Sequence, residues 1–245
     1  MEERYSRQMM IDQIGEEGQK KLAESSIMVV GAGGLGSPAL TYLASAGVGN
    51  LGIVDSDTVA LSNLNRQFLH NIGDIGRSKA DSAKEKLSNL NNEVKIISFN
   101  KHLTVQNAKD ILNGYDIVLG AVDSFETRFI INKTCVSLGI PYIDGGVDGF
   151  SGCVLFSNPP HTPCLNCVFH HTSAGSFAGN SGKKKTIGVL GTTAGVVGTI
   201  KANTAILHLL NLPNPLVNKL LMYDGLRQNI DYIEIKRNKD CPVCK

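Results

Sequence analysis

The sequence lacks the features that mark exported, membrane-spanning and multidomain proteins. Its 245 residues contain no Pro/Ser-rich linker, low-complexity block or internal repeat, so a single domain over residues 1–245 is predicted. The first residues, MEERYSRQ, include no apolar signal-peptide core, and no segment approaches the ~18 apolar residues of a membrane-spanning helix. These absences predict a cytoplasmic location.

The chain also has no large excess of positive or negative residues. The formal net charge is +2, so neither nucleic acid nor an acidic surface is expected as the main partner. The chain shows no Ser/His/Asp or Cys/His arrangement for nucleophilic catalysis. What it does contain is 42% hydrophobic residues, which is enough to bury a substantial core.

Four of the six cysteines form two matched Cys-x-x-Cys pairs, Cys164/Cys167 and Cys241/Cys244. Each pair can supply two corners of a tetrahedral Zn²⁺ site. The alternative is four unrelated cysteines, but spacing of this kind is rarely accidental. The pairs predict a structural zinc site that ties the C-terminal segment to a loop in the middle of the chain, and metal-bound thiolates fit a reducing compartment.

Short apolar runs alternate with helical patterns through the first 145 residues or so. Strands are predicted at Ile27–Val30, Leu51–Val54, Val94–Phe99, Ile117–Ala121 and Tyr142–Ile143. Helices are predicted at Ser37–Ala46 with Ser37 as N-cap, Ser78–Leu90 with Ser78 as N-cap, Thr104–Leu112 and Phe125–Leu138. This alternation predicts an α/β fold with a Rossmann-like, doubly wound, mainly parallel sheet.

The alternation ends after Asp144. Strands without crossover helices are predicted at Gly152–Ser157, Lys219–Tyr223 and Tyr232–Lys236, and they are expected to extend the sheet antiparallel. A long apolar helix, Thr193–Leu210, lies between them. The glycine- and lysine-rich stretch Thr172–Gly188 has no periodicity and predicts a mobile loop.

A glycine motif marks the expected ligand site. Gly31, Gly33 and Gly36 match G-x-G-x-x-G between a predicted strand and helix, and Asp55 ends the next strand. Backbone N–H groups and the helix N-terminus favour a phosphate there, while Asp55 can accept hydrogen bonds from ribose. The motif does not separate NAD or FAD from ATP, and a tight turn without ligand is the other interpretation.

Polar residues after the ribose-binding strand favour a triphosphate. They are Asp57, Asn63, Arg66, Arg77 and Lys79. A transition state at the α-phosphorus spreads negative charge that cations can neutralise, whereas a pyrophosphate held by backbone N–H groups needs few of them. The alternative is that Arg66 and Lys79 are solvated surface charges. Asp123, at the carboxyl end of a predicted central strand, could hold Mg²⁺.

In order along the chain, these motifs resemble the ubiquitin-activating-enzyme-like adenylyltransferases, the ThiF/MoeB/HesA group, over essentially the whole sequence. The matching segments are 4–8 (RYSRQ), 30–37 (VGAGGLGS), 47–52 (GVGNLG), 54–57 (VDSD), 61–67 (LSNLNRQ), 76–79 (GRSK), Asp123 and both cysteine pairs. The resemblance implies adenylation, with Mg-ATP, of the C-terminal Gly-Gly carboxylate of a ubiquitin-like sulfur-carrier protein. Pyrophosphate is released, and the activated carboxyl receives sulfur for molybdopterin, thiamine or related synthesis.

The resemblance also implies residue roles. Adenylate-binding positions are Gly31, Gly33, Gly34 and Gly36, with Asp55 on the ribose and Asp57 and Gln67 in the same set. Phosphate-binding and Mg²⁺-binding positions are Asn63, Arg66, Lys79 and Asp123. Arg7 would cross a twofold homodimer interface to the partner's triphosphate, although an exposed N-terminal arginine is the alternative. The nucleotide-binding core would span about 20–145, and the carrier-binding and zinc-bearing part about 146–245.

The sequence departs from this family at one point. Many relatives carry a cysteine in the loop before the long helix, whereas this loop has none and Lys184 falls near the expected position. Cys135 and Cys153 lie in a predicted helix and strand, where buried, inert thiols are expected. Adenylation is therefore expected without a covalent thioester step, so sulfur would come from an external donor.

Four other functions compete with this interpretation. Two lie within the fold: adenylation of another carboxylate, such as a peptide C-terminus, and ATP-dependent dehydration of a tRNA nucleoside. The near-neutral charge disfavours tRNA. An NAD-dependent oxidoreductase is disfavoured by the cationic residues, and a non-catalytic adaptor by the retention of every phosphate-binding position.

Overall fold

The computed structural model describes residues 2–169 and 188–245. Within them, eight strands form one sheet in the order β3-β2-β1-β4-β5-β6-β7-β8. The strands are β1 (Ser26–Val30), β2 (Asn50–Val54), β3 (Lys95–Phe99), β4 (Ile117–Gly120), β5 (Tyr142–Asp148), β6 (Ser151–Ser157), β7 (Lys219–Asp224) and β8 (Asn229–Glu234).

Strands β1–β5 are parallel, which confirms the predicted doubly wound sheet. β1 lies at the centre and pairs with β2 on one side and β4 on the other. Its residues Ile27 to Val30 are all buried, because helices cover both faces of the sheet. The chain runs from β1 to one edge of the sheet and later returns to β4, so a crevice opens at the carboxyl ends of these two strands.

Strands β6, β7 and β8 extend the sheet antiparallel, as predicted. β5 is longer than its short apolar run indicated, because it pairs with β6 from Tyr142 through Asp148. β8 lies at Asn229–Glu234 rather than at the predicted Tyr232–Lys236. All of its residues are exposed, so no burial pattern in the sequence marks its ends.

The core consists of two apolar clusters, one on each face of the sheet. Ile27 and Val29 of β1 belong to the first cluster, whereas Met28 and Val30 belong to the second. The helices of the described residues are α1 (Glu2–Met9), α2 (Gly15–Glu24), α3 (Gly36–Ser45), α4 (Lys79–Leu90), α5 (Ala108–Leu112), α6 (Phe125–Leu138), α7 (Leu165–Val168) and α8 (Gly191–Leu209). Helices α3, α4 and α8 supply the first cluster, and α5 and α6 supply the second.

Helix ends agree with the sequence where a side chain caps them. The Ser78 hydroxyl accepts from the Asp81 N–H at the start of α4, and the predicted range of α6 is confirmed. The prediction of Ser37 as an N-cap is wrong. Ser37 lies inside the first turn of α3, because this helix begins at Gly36 in the tight glycine loop.

The start of α5 also differs from the prediction. α5 begins at Ala108 rather than Thr104, because the Asn107 side chain accepts a hydrogen bond from the Thr104 N–H and forms a turn before the helix. Helices α1 and α2 were not predicted. The predicted mobile loop, Thr172–Gly188, lies outside the described residues apart from Gly188. Among the described helices, none combines the length and apolar character that crossing a membrane requires.

Candidate functional site

The glycine-rich loop between β1 and α3 is packed so closely that two of its glycines admit no side chain. Gly31 has a φ of 104°, and a Cβ there would lie 2.5 Å from the carbonyl oxygen of Ala121. A Cβ on Gly36 would overlap the carbonyl oxygen of Gly31. At Gly33, by contrast, the nearest atom would be Gln67 Nε2 at 3.6 Å. The loop at the end of β1 is therefore pressed against the end of β4, at the crevice of the sheet.

Asp55 holds this loop from the end of β2. Its Oδ2 accepts a hydrogen bond of 2.7 Å from the Ala32 N–H, and its Oδ1 accepts one of 2.8 Å from the Asp57 N–H. The carboxylate expected to bind ribose is thus fixed at the carboxyl end of its strand.

His70, which the sequence analysis did not select, holds the same loop from the other side. Its Nε2 lies 2.9 Å from the Ala32 carbonyl oxygen and its Nδ1 lies 2.9 Å from the Ser82 hydroxyl. Burial lowers the pKa of His70, which favours the neutral ring. Because a carbonyl oxygen can only accept, Nε2 carries the proton and Nδ1 accepts from Ser82. The ring therefore ties the glycine loop to α4.

Two of the predicted cations lie beside the loop. Lys79 is 6% exposed and its Nζ lies 2.9 Å from Asp57 Oδ2, so the interpretation of Lys79 as a solvated surface charge is wrong. Arg66 is half-buried, and its side chain lies 3.4 Å from the position of a Cβ on Gly34. Its Nη1 donates to the Ser62 carbonyl oxygen at 3.1 Å. Lys79 is therefore linked to the glycine loop through Asp57 and Asp55, and Arg66 packs against the same loop at Gly34.

The remaining polar residues are Gln67 and Asn63, which lie near the glycine loop or shape the turn before Arg66, and Arg77, which is engaged elsewhere. Gln67 is buried, and its Oε1 has no hydrogen-bond partner in the described part of the chain, which leaves an acceptor beside Gly33 for a ligand. Asn63 Oδ1 accepts from the Ala60 N–H at 3.1 Å and so shapes the turn before Arg66. Arg77 is engaged elsewhere, in ion pairs of 2.7 Å with Asp74 and 2.5 Å with Glu85.

Asp123 and Arg7 are both exposed. Asp123 follows β4 and precedes Ser124, the N-cap of α6, so its carboxylate lies at the carboxyl edge of the sheet. Arg7 lies on α1, which packs against α2. Within the described residues it forms no hydrogen bond or ion pair, and the structure of one chain does not bring it to the glycine loop.

The four paired cysteines converge as predicted. Their sulfur atoms all lie within 4.8 Å of one another, and adjacent Sγ–Sγ distances are 3.9 Å (Cys164–Cys167), 3.6 Å (Cys164–Cys241) and 3.4 Å (Cys167–Cys244). A tetrahedral site with Zn–S bonds of about 2.3 Å has its sulfurs about 3.8 Å apart. The cluster could therefore hold a zinc ion, and four cysteines leave no coordination position open for catalysis.

The other two cysteines are buried, as predicted. Cys135 lies in α6 and Cys153 in β6. Burial raises the pKa of both thiols, which disfavours the reactive thiolate. Neither is placed to act as a nucleophile. Lys184, which precedes α8 in the sequence, lies outside the described residues.

A buried group of four polar side chains was missed by the sequence analysis. We call it the Asp144 cluster, and it consists of Arg128, Tyr142, Asp144 and Lys201. Arg128 Nε lies 2.9 Å from Asp144 Oδ1 and 3.1 Å from Oδ2, and the Tyr142 hydroxyl donates to Oδ1 at 2.7 Å. Lys201 Nζ donates to the Gly120 carbonyl oxygen. The available signal was Lys201 itself, a lysine inside the long apolar helix α8.

The doubly wound sheet, the glycine loop at its crevice and the four-cysteine cluster define a Rossmann-like α/β protein of the nucleotide-binding type. The chain belongs to the ThiF family, whose model matches residues 5–243. This match confirms the family resemblance carried by the sequence motifs.

Curated relatives bear adenylyltransferase or activating-enzyme names. The chain is 40% identical to a sulfur carrier protein adenylyltransferase of Thermus thermophilus, over 99% of this chain and 90% of the relative. It is 39% identical to a SAMP-activating enzyme E1 of Haloferax volcanii, over 99% and 88%. An adenylyltransferase and sulfurtransferase MOCS3 of Culex quinquefasciatus is also 39% identical, but this chain spans only 55% of its length.

Solved structures share the fold. Escherichia coli MccB with ATP superposes with a TM-score of 0.86 and 23% identity, over 100% of this chain and 74% of that chain. PaaA superposes with a TM-score of 0.80 and 23% identity, over 97% and 74%. At these identities the likeness shows the fold alone.

Proposed function

We propose that this protein is an ATP-dependent adenylyltransferase that joins the C-terminal Gly-Gly carboxylate of a ubiquitin-like sulfur-carrier protein to AMP and releases pyrophosphate. The observation that carries this proposal is the position of Lys79. Lys79 is 6% exposed and bound to Asp57, beside a glycine loop held by Asp55. A buried cation in this position supports phosphate binding, because phosphates approach a Rossmann-like sheet at this edge. The names of the Thermus and Haloferax relatives support the substrate class.

The chemistry needs positioning and charge neutralisation rather than a protein base. A carboxylate oxygen attacks the α-phosphorus of ATP, the bond from this phosphorus to the bridging oxygen breaks, and pyrophosphate leaves. Lys79 and Arg66 would neutralise the negative charge that develops on the phosphates, with Asn63 beside them. The backbone of Gly31, Gly33, Gly34 and Gly36 would enclose the nucleotide, and Asp55 would bind its ribose with Asp57 and Gln67 nearby.

Asp123 suits a magnesium ion. Its exposed carboxylate at the carboxyl end of β4 offers the oxygen ligand that Mg²⁺ prefers. When bound, Mg²⁺ would supply positive charge to the triphosphate. Zinc in the four-cysteine cluster would be structural, because all four positions are protein sulfurs.

The proposal extends to the assembly. We propose a cytoplasmic homodimer in which Arg7, exposed on α1, reaches the partner's triphosphate, and an external donor that supplies sulfur to the acyl-adenylate. The division into a nucleotide-binding core at about 20–145 and a carrier-binding, zinc-bearing part at about 146–245 belongs to the same proposal. Adenylation of other carboxylates, tRNA dehydration, NAD-dependent oxidation and an adaptor role have no specific observation in their favour.

The test is exchange of labelled pyrophosphate into ATP in the presence of a carrier that ends in Gly-Gly. Exchange is expected with the intact carrier and not with a matched carrier that lacks its final glycine. Lys79→Met should abolish it. Tight NAD binding without exchange for any tested carrier would overturn the proposal.

Mass spectrometry of the same mixture separates adenylation from covalent capture. Because Cys135 and Cys153 are buried, we expect carrier–AMP and no thiol-labile adduct between enzyme and carrier. An adduct that maps to either cysteine would contradict the absence of a thioester step.

A further inference from the structure

A lysine is buried in the middle of α8. Lys201 has no exposed surface, and its Nζ donates to the carbonyl oxygen of Gly120, the last residue of β4. The side chain reaches this oxygen across Gly145 of β5, where a Cβ would lie 3.2 Å from Lys201 Cδ. A residue larger than glycine would obstruct this path. The fold therefore provides room for a cation inside an apolar helix interface.

A second cation approaches from the opposite face of the sheet. Arg128 of α6 is 6% exposed and pairs through Nε and Nη2 with the Asp144 carboxylate of β5. Its guanidinium also lies 4.4 Å from the centre of the Phe125 ring. Asp144 is fully buried. Although burial alone would raise its pKa, the charges of Arg128 and Lys201 hold that pKa below the ordinary value, so the carboxylate is ionised.

The two cations hold the two ends of one short segment. Lys201 fixes the carbonyl of Gly120, and Arg128 fixes the first turns of α6, so residues 121–127 lie between the two attachments. That segment carries Asp123 at the edge of the sheet. It also carries Ala121, whose carbonyl oxygen abuts Gly31 of the glycine loop.

We propose that Lys201, Asp144 and Arg128 are positioning residues that fix the 121–127 segment, and with it Asp123, against the glycine loop. The inference rests on the proposed function only for the role of Asp123 as a Mg²⁺ ligand. A buried ionic cluster adds little stability in comparison with apolar packing, but it can select one arrangement of the chain around it. Here the arrangement selected is that of Asp123, which follows β4 at the carboxyl edge of the sheet.

The test compares Lys201→Met with the matched control Thr204→Val. Methionine keeps an unbranched side chain and removes the ammonium. Thr204 is another buried residue of α8, and its hydroxyl donates only to the Ile200 carbonyl of its own helix. We expect amide hydrogen exchange in residues 121–127 to become at least ~5-fold faster in Lys201→Met and to stay unchanged in Thr204→Val. Peptides from β1 and β2 should exchange at the wild-type rate in both variants.

Kinetics give a second readout. We expect kcat for pyrophosphate exchange to fall by ~10-fold or more in Lys201→Met, with KM for ATP within ~3-fold of wild type, because misplacement of a positioned group acts on the transition state. In an Asp123→Asn background Lys201→Met should cause no further loss, since its effect passes through Asp123. Lys201→Gln, which retains a donor for Gly120, should recover part of the rate, and it carries the same comparison if the methionine variant fails to fold.

Two results would overturn the inference. One is an unchanged exchange rate in residues 121–127 of a folded Lys201 variant. The other is a full additional loss of activity from Lys201→Met when Asp123 is already replaced. If wild-type protein exchanges no pyrophosphate with any carrier, the proposed function fails, and the hydrogen-exchange comparison still decides whether the segment is held in this way.

Discussion

At the scale of single residues, the Asp144 cluster holds two positive charges and one negative charge. Arg128 and Lys201 share one carboxylate, that of Asp144, and all three side chains are buried. Removing the carboxylate should therefore lower the free energy of unfolding more than removing the Lys201 ammonium, because the group holds two cations and only one carboxylate.

The first prediction follows from this imbalance. Asp144→Asn leaves two buried cations without a counter-charge and should lower the free energy of unfolding by about 3–5 kcal/mol. Lys201→Met leaves the Arg128–Asp144 pair intact and should change it by about 1 kcal/mol or less. Urea denaturation of the two variants measures the difference. Equal losses would show that Lys201 and Arg128 depend on Asp144 to the same extent.

The second prediction concerns pH. Burial lowers the pKa of Lys201 from its ordinary value of 10.5 to about 8, although Asp144 attracts its charge. Between these two values the unfolded chain keeps a proton that the folded chain has lost, so this group makes the free energy of unfolding rise with pH. Below about pH 8 both states are protonated and the contribution is constant. Wild type should therefore gain stability relative to Lys201→Met between about pH 8 and 10.5, and a constant difference in urea denaturation over this range would contradict this.

The sequence predicts which side chains act together only where they are close along the chain or follow a known motif spacing, such as Cys-x-x-Cys. Each cysteine pair is local, and two pairs together define a metal set without knowledge of the fold. Arg128 and Asp144 lie 16 residues apart, and Lys201 lies 81 residues from the Gly120 carbonyl that it binds, so no local pattern records the Asp144 cluster. His70 was overlooked for the same reason, since its partners Ala32 and Ser82 come from two other elements.

At the scale of elements, the glycine loop has two kinds of glycine. Gly31 and Gly36 are needed for packing, because a Cβ at either would meet a backbone carbonyl oxygen. Gly33 has ordinary space around it, so packing among the described residues does not require glycine there. We infer that its lack of a side chain allows the close approach of a nucleotide.

The third prediction separates these roles. Gly36→Ala should lower the free energy of unfolding by about 3 kcal/mol or more, because the backbone of Gly31 must move. Gly33→Ala should change stability by about 1 kcal/mol or less and weaken ATP binding at least ~10-fold. Thermal denaturation and titration calorimetry provide the two measurements. An alanine at Gly33 that leaves ATP affinity intact would place the nucleotide elsewhere.

The fourth prediction concerns α7 and the segment after β8, which the four-cysteine cluster joins. Metal analysis should find about one zinc per chain, and Cys244→Ser should lower both the zinc content and the melting temperature, because bound metal stabilises the fold. Cys135→Ala, which removes a thiol outside the cluster, should keep the zinc. Metal-free protein with wild-type melting temperature and activity would show that the cluster holds no structural ion.

Elements were predictable where burial imposes a pattern. The inner parallel strands β1, β2 and β4 are buried on both faces and read as short apolar runs, and the caps at Ser78 and Ser124 are local hydrogen bonds. β8 could not be located to the residue, because all of its residues are exposed. The start of α3 was misjudged because the packing of Gly36 against Gly31, rather than the Ser37 hydroxyl, determines it.

At the scale of the whole molecule, Arg7 is the residue that a single chain leaves unexplained. It is exposed on α1, which packs against α2, and it forms no hydrogen bond or ion pair with the described residues of its own chain. An arginine that acts on the neighbouring subunit would have this position in the isolated chain. The dimer stays a prediction.

The fifth prediction tests that assembly. An Arg7→Ala chain and an Asp123→Ala chain should each be inactive as homodimers. After subunit exchange, a mixture should regain activity, because one of the two sites in a mixed dimer has both residues intact. A dead mixture with verified exchange of subunits would show that Arg7 acts within its own chain.

The central position of β1 also sets the order in which the sheet can be completed during synthesis. One edge of this strand pairs with β2, which follows within about thirty residues, whereas the other pairs with β4 at Ile117–Gly120. A nascent chain that has reached β3 therefore carries Ile27, Met28 and Val29 on an open edge. Such edges invite pairing with other chains. We therefore expect the nascent chain to be prone to aggregation between the emergence of β3 and that of β4, and a chaperone that acts in this period to raise the yield.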